Sequence, residues 1–220
     1  MPSGASFRAL LLAGSAAAPV FTASFVIQQS LREDYDPRRF PVSSLALGPG
    51  GWQQATTFAV TGGLLALGAV GLGDVPVGAA EPRAVVLVVA GAAVGLLASA
   101  VFTTDPIGGY PRGTAVITEP RTREGLAHDM SAVPVFLGLP VAAVVSGVAA
   151  ARSGRLAWAV YSGLSAAATM VGLVRSSGGF GHQRTRWVAQ AGTWQRVAIV
   201  AGLGWASVVC GRAVIRSSGR

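Results

Sequence analysis

The stretch AVVLVVAGAAVGLLASAVFT, residues 84–103, has no charged side chain and lies between Arg83 and Asp105. A membrane-spanning helix needs about 20 mostly apolar residues to cross the hydrocarbon. Five other stretches have a similar length and composition, near residues 9–27, 52–72, 128–150, 156–174 and 191–211. The sequence therefore predicts an all-α integral membrane protein, a six-helix transmembrane bundle that forms a single domain over residues 1–220.

Composition supports this prediction. The 220 residues are 51% hydrophobic and 12% charged, whereas a soluble domain carries about twice that charge. Six spans leave no room for a separate soluble domain. The first apolar stretch resembles a signal peptide as far as Ala18 but continues through Pro19 to Ile27, so we expect an uncleaved first span.

The positive charge and its distribution along the chain predict what the protein binds and where in the cell it lies. The net charge of +8 comes from arginine alone, since the sequence has no lysine, and this composition, rich in Ala, Gly and Val, is typical of a GC-rich bacterial genome. The arginines lie between apolar runs and not along one helix face, so we expect the lipid bilayer as partner and no nucleic acid. The protein is thus predicted to be a multi-pass protein of the bacterial cytoplasmic membrane. The arginines are divided almost equally between the two sides of the membrane, so their number does not predict the orientation. The sequence identifies no protein partner.

Unusual polar residues collect at one membrane face. Asp105 closes the third span, His128 opens the fourth, Arg196 lies inside the sixth, and His182 lies in the fifth loop. An ionisable residue within a span costs about 2.5–3.5 kcal/mol on insertion scales, so a functional role is its default interpretation. Asp105, His128 and Arg196 are therefore candidate catalytic residues. Simpler alternatives are a turn at Asp105-Pro106, an interfacial helix start at His128 and a snorkelling Arg196.

Helical spacing predicts a pocket around these residues. Arg186, Gln190 and Thr193 share one helix face, and Gln54 begins a similar polar stripe in the second span. Aromatic side chains near the same face are candidates to line the pocket, although an interfacial aromatic belt is the alternative. The predicted pocket residues are Phe102, Trp194, Gln190, Thr193 and Gln54.

The sequence has no metal-ligand, haem or nucleophile signature. There is no paired-cysteine or Glu-x-x-His pattern, no Gly-x-Ser-x-Gly elbow and no phosphate loop. Cys210, the single cysteine, is expected to be a packed thiol. We therefore expect no metal and no cofactor.

Several motifs resemble a bacterial six-helix membrane family catalogued as domain of unknown function 998. They are Tyr35-Asp36-Pro37 with Val42 to Gly48 and Trp52, Phe102 to Pro106, Gly125-Leu126-Ala127-His128, and Gly192 with Gln195-Arg196. The motifs occur in order over essentially the whole chain. The resemblance implies six spans and singles out Asp105, His128 and Arg196, but it implies no reaction.

Three functional hypotheses follow. The first is an intramembrane enzyme that performs acid–base chemistry, such as cyclisation or isomerisation, on an isoprenoid or other lipid-soluble small molecule. In it Asp105 is the acid or base, and its pKa depends on burial and on a nearby arginine. The second is a small transporter or channel, and the third is a non-catalytic accessory subunit in which the polar residues only lock the helices.

Overall fold

The computed structural model describes residues 4–73, 75, 83–114, 116, 121–180 and 188–218. Within these residues there are six helical segments long and apolar enough to cross a membrane, and no β-strand. This confirms the predicted all-α six-helix architecture. The helices are α1 (Gly4–Ser30), α2 (Gly51–Gly73), α3 (Arg83–Val101), α4 (Arg123–Val133), α5 (Leu139–Arg152), α6 (Leu156–Phe180) and α7 (Ala191–Ser218).

The fourth span is interrupted. It consists of α4, a π-helical turn at Pro134–Gly138, and α5. Proline has no N–H to donate and its ring crowds the preceding turn. The ladder widens at this point, and the N–H of Leu139 donates to the carbonyl of Pro134, five residues earlier. The turn changes the direction in which the two halves of the span present their side chains.

Consecutive spans pack against one another, as short connections favour. The sixth span, α7, also packs on α1 and so closes the ring. It is the most enclosed span, with 61% of its most apolar stretch buried against 33% for the first span. Trp205 of α7 is fully buried. The sixth span is therefore the central element of the bundle.

The closest approach of three spans lies at Gly14 of α1, Gly68 of α2 and Cys210 of α7. A Cβ atom added to Gly14 would lie 2.6 Å from the Cα of Gly68 and 2.7 Å from the Cys210 thiol. Only glycine fits there, and close backbone contact is how helices associate where no water drives them together.

Polar side chains in the half of the bundle that contains the termini are hydrogen-bonded across spans. The indole N–H of Trp158 donates to Ser146 at 2.9 Å, and that of Trp205 donates to Ser162 at 3.0 Å. The backbone N–H of Ala18 donates to the hydroxyl of Ser207 at 3.0 Å. Such pairing is expected because hydrocarbon offers no alternative partner.

The loops between spans one and two and between spans three and four cover the other end of the bundle. We call residues 31–50 and 105–114 the cap, and the membrane face beneath it the capped face. The rings of Tyr35, Phe40 and Tyr110 pack together across the two loops, with centroids 5.1–5.8 Å apart. Arg32 donates to the carbonyl of Leu47 and to the hydroxyl of Tyr110. The two loops therefore form one structure over the spans.

Candidate functional site

Asp105 lies just after α3 and binds the start of the fourth span. Its Oδ1 accepts from the hydroxyl of Thr122 at 2.6 Å, and its Oδ2 accepts from the backbone N–H of Thr122 at 3.1 Å and from Nε of Arg121 at 2.8 Å. Thr122 is in turn the N-cap of α4 and accepts from the N–H of Gly125 at 2.9 Å. A carboxylate is favoured there because the N-terminus of a helix carries partial positive charge.

Gly125 makes this arrangement possible. A Cβ atom at residue 125 would clash with both oxygens of Asp105. The absence of a side chain at Gly125 lets the carboxylate approach the first turn of α4. The Gly125 to His128 motif and the Asp105 motif are therefore parts of one contact.

The environment keeps Asp105 ionised. Burial by itself raises the pKa of the Asp105 carboxyl, but the hydrogen bonds from Thr122 and Arg121 outweigh it and bring the pKa below the ordinary value of 3.8. The hydrogen bond to Asp105 likewise raises the pKa of Arg121. Asp105 is thus a fixed anion and has no proton to donate at neutral pH.

Asp129 extends this ion pair from the buried Asp105 to a half-exposed carboxylate at the rim of a cavity. The guanidinium of Arg121 contacts Asp105 through Nε and Asp129 through NH2, each at 2.8 Å. The Asp105 side chain is 6% exposed and that of Asp129 is 50% exposed. The arginine that pairs with Asp105 is therefore Arg121, from the loop, and not Arg196 from the sixth span.

His128 is 5% exposed and turns one ring nitrogen to the backbone. Its Nδ1 lies 2.9 Å from the carbonyl oxygen of Phe102. A carbonyl can only accept, so Nδ1 carries a hydrogen, and in the neutral ring Nε2 has a free lone pair. The ring of Phe58 packs edge-on against the imidazole at 5.9 Å. His128 is therefore held in one orientation.

A cavity of about 480 Å³ lies beside these residues. Every span contributes to its wall, and its deepest lining residue on α7, Leu203, is about 18 Å below the start of that helix at 1.5 Å per residue. Ionic or imidazole groups line it at the capped face, namely Asp105, Arg121, His128 and Asp129. Its deeper wall is mainly apolar, with Phe21, Phe58, Leu96, Val135, Phe136, Leu173, Phe180, Ile199 and Leu203. Its volume lies within the usual range for a small-molecule site.

Arg196 lies outside this cavity and is bound to the cap. Its Nε donates to Gln29 at 3.1 Å, its NH2 to the hydroxyl of Tyr35 at 2.7 Å, and its NH1 to the carbonyls of Phe40 and Gly192. Burial raises the pKa of Tyr35 to about 12, so its hydroxyl stays protonated. The neighbouring Gln195 does line the cavity, and its side-chain oxygen accepts from the N–H of Val42. The structure thus brings Asp105 and His128 to one cavity and places Arg196 in a separate cluster.

The predicted pocket residues lie elsewhere. Gln190 precedes α7 and Thr193 is on its outer face, both exposed, because Gly192 is the residue that packs beneath the carbonyls of Pro37 and Phe40. The ring of Trp194 is covered by the guanidinium of Arg175 at 4.3 Å. None of these three lines the cavity.

Phe102 and Gln54 also lie outside the cavity. Phe102 contributes its carbonyl to His128, while its side chain is 40% exposed. Gln54 is fully buried, and its amide has no hydrogen-bond partner among the described residues. His182 and Arg186 fall in residues 181–187, which lie outside the described residues.

Sequence reasoning missed Arg121, Thr122 and the role of Gly125. A usable signal was present, since Thr122 directly precedes the apolar fourth span and threonine is a preferred N-cap. Nothing in the spacing distinguished Arg121 from Arg123 or Arg112 as the partner of Asp105. Among the described residues, no group of three or more His, Cys, Asp or Glu side chains is placed to hold a metal ion.

The fold and the cavity define a class of protein: a six-span α-helical membrane protein with a mainly apolar internal cavity whose ionic groups lie at one face. Residues 15–212 match the family described as "Protein of unknown function (DUF998)", and the chain belongs to this family. No curated protein and no solved structure matches the chain.

Proposed function

We propose that this protein is an intramembrane enzyme that performs acid–base chemistry on a lipid-soluble small molecule, of which an isoprenoid is one example. The observation that carries the proposal is the cavity. An apolar volume that reaches about 18 Å into the bundle and ends at an oriented imidazole and two carboxylates suits a molecule with a long apolar part and one reactive polar end.

A route from the bilayer to this cavity supports a lipid-soluble substrate. Spans four and five are joined by a short turn at the uncapped end and pack together there through α5 and α6. Toward the capped face, α4 packs on α3 and the end of α6 packs on α7. The cavity lies between, with Ala132 and Phe136 on one wall and Ser177 and Phe180 on the other. This side of the cavity is the proposed entry for a molecule dissolved in one leaflet.

His128 is the proposed proton carrier. Its Nδ1–H is committed to the carbonyl of Phe102, so the lone pair on Nε2 is free to accept a proton from substrate and return it at another atom. Asp105 is a positioning residue in this scheme. As a fixed anion it holds Arg121 and the start of α4, and through α4 it sets the place of His128 and Asp129.

The alternative of transport has less support. Among the described residues, the ionic lining of the cavity lies at the capped face, and polar side chains of the other half are bonded to one another, as between Trp205 and Ser162. The accessory alternative leaves unexplained why the imidazole and Asp129 adjoin a cavity instead of being packed over.

Proton transfer can be tested without knowing the substrate. The protein is reconstituted in nanodiscs made from total lipid of the producing cells and incubated in D2O. The reaction is stopped by extraction into organic solvent, deuterium on O–H and N–H groups is exchanged with H2O, and the lipids are analysed by mass spectrometry for carbon-bound deuterium. We expect a labelled lipid species with the wild-type protein. In His128→Asn the amide N–H can replace the bond to Phe102, but the Nε2 lone pair is gone, so labelling should fall by about 10²–10⁴-fold.

Ser24→Ala, a change in α1 outside the cavity lining, is the matched control and should label as the wild type does. Equal labelling by the wild-type protein and His128→Asn would overturn the role of His128. No labelling by a folded wild-type protein would overturn the enzyme proposal and favour an accessory role. Flux of a solute through liposomes that depends on His128 would favour transport instead.

A further inference from the structure

We infer that the cavity binds an amphiphile whose polar end is a hydrogen-bond donor, such as a long-chain alcohol or amine, and that it disfavours a phosphate or carboxylate end. The inference rests on the proposed function in taking the cavity as the substrate site, and it concerns a property that the deuterium experiment does not measure, the chemistry of the headgroup.

The charge of the lining is the first argument. Asp105 and Asp129 each contribute −1 and Arg121 contributes +1, so with a neutral His128 the lining carries a net charge of −1. Arg121 is the one cation that lines the cavity among the described residues, and it already contacts both carboxylates at 2.8 Å. An anionic headgroup would meet an arginine flanked by two negative charges, in surroundings where like charges repel more strongly than in water.

The free hydrogen-bonding atoms are the second argument. The Oδ2 of Asp129 accepts from Arg121, while no described residue donates to its Oδ1. The Nε2 of His128 is likewise an acceptor once Nδ1 donates to Phe102. The hydroxyl of Ser99, which also lines the cavity, is bonded to Ser131 at 2.7 Å. The charged end of the cavity thus offers two acceptors, the half-exposed carboxylate oxygen of Asp129 and the buried Nε2 of His128, and a ligand that donates a hydrogen bond would satisfy the buried one.

The position of these acceptors is the third argument. They lie at the capped face, near the ends of the spans, and the apolar lining continues below them toward Leu203. A single-chain amphiphile therefore places its tail in the bundle and its polar end against Asp129 and His128. A doubly charged headgroup in the same place would have to displace Arg121 from a carboxylate to gain a partner.

Three probes with the same tail isolate the headgroup: geranylgeraniol, geranylgeranylamine and geranylgeranyl monophosphate. Native mass spectrometry of the full-length protein in nanodiscs gives the Kd of each. We expect the alcohol and the amine to bind at least about 10-fold more tightly than the monophosphate. Asp129→Asn removes the negative charge and keeps the shape, and it should weaken the amine and strengthen the monophosphate, each by about 10-fold, which is about 1.4 kcal/mol.

Glu124→Gln is the matched control, because it removes a carboxylate from the first turn of the same helix at a residue outside the cavity lining. It should leave all three affinities within about twofold. The inference is overturned if the monophosphate binds most tightly to the wild-type protein, or if Asp129→Asn and Glu124→Gln shift the ranking equally. Should Asp129→Asn fail to fold, the wild-type ranking decides. A ranking led by the monophosphate together with deuterium transfer by His128 would sink this inference and leave the proposed function standing.

Discussion

The Asp105 cluster (Asp105, Arg121, Thr122 and Asp129) and the Arg196 cluster (Arg196, Gln29, Tyr35 and Phe40) both join the cap to the spans, but with different groups. Arg196 donates four hydrogen bonds, all to neutral oxygens of Gln29, Tyr35, Phe40 and Gly192. Asp105 belongs to a chain of charges that runs through Arg121 to Asp129 and ends at the cavity. We call the Arg196 cluster closed, because its donors are bonded within the protein. We call the Asp105 cluster open, because its far end faces the cavity.

This difference distinguishes residues that stabilise the fold from residues that can bind a ligand. Buried polar groups are normally satisfied, and a guanidinium with its donors committed to backbone and hydroxyl oxygens stabilises the loop that it contacts. A carboxylate oxygen and an imidazole lone pair that face a cavity have capacity left for a ligand. By this criterion His128 and Asp129 are the functional candidates. Asp105 positions them through Arg121 and α4, whereas Arg196 holds the cap.

The largest effect on stability is expected at Arg196. Arg196→Gln removes most of the four bonds and leaves buried acceptors unpaired, so the free energy of unfolding in mixed micelles should fall by about 3 kcal/mol or more. Protease cleavage within residues 31–50 should become faster, because the loop loses its contact with α7. Arg38→Gln, an exposed arginine in the same loop, is the control and should change neither measurement. A stable Arg196→Gln with an intact loop would contradict the structural role of this residue.

A smaller effect, with a characteristic pH dependence, is expected at Asp105. Asp105→Asn keeps an acceptor for Thr122 but loses the charge opposite Arg121, so we expect a loss of about 2 kcal/mol at neutral pH. Because folding lowers the pKa of Asp105 below 3.8, its contribution is complete above that pH and is lost as the pH falls through the folded value. The stability difference between wild type and Asp105→Asn should therefore shrink only below about pH 4.

Unfolding midpoints of both proteins in detergent at pH 7, 5, 4 and 3 measure this difference, with Asp36→Asn as a control carboxylate of the cap. A difference that vanishes already at pH 5 would mean that Asp105 has a raised pKa and is free to act as an acid. That result would show that Asp105 can release a proton near neutral pH, and it would restore Asp105 as a candidate proton donor.

The smallest effect is expected at Tyr35, within the closed cluster. Tyr35→Phe removes one hydroxyl that accepts from Arg196 and donates to the carbonyl of Pro41 at 2.8 Å, and it should cost about 1 kcal/mol. Because burial raises the pKa of Tyr35 from 10.0 to about 12, the stabilisation is complete below pH 10 and is lost as the pH rises toward 12. The ultraviolet titration of the wild-type protein should contain a component near pH 12 that is lost in Tyr35→Phe.

The spans could be predicted because hydrocarbon surrounds them, and a helix that crosses hydrocarbon needs a long apolar stretch. Runs such as residues 84–103 have one stable state in a bilayer, and each predicted span corresponds to one observed span, with ends that shift by up to seven residues. The largest differences are at two C-terminal ends: the sixth span continues past Gly211 to Ser218, and the fifth span continues past Val174 to Phe180. The residues added to the fifth span include Ser177 and Phe180, which line the cavity.

The site was less predictable because its contacts cross loops. Depth and residue type singled out Asp105 and His128, and the structure brings both to the cavity. Arg196 was grouped with them because it lies at the same depth, but depth does not give rotation about the helix axis. The π-helical turn and the close fit of Gly125 against Asp105 are tertiary features, with no periodic signal in the sequence to indicate them.

The single cysteine can report when the helices of the bundle separate. Cys210 is fully buried where α1, α2 and α7 meet, so its thiol should react with a maleimide only when those spans separate. Its labelling rate then reports opening of the bundle directly, without an introduced reporter. A cysteine engineered on the cavity wall formed by spans four and five would show, by comparison with Cys210, whether that part of the bundle opens separately.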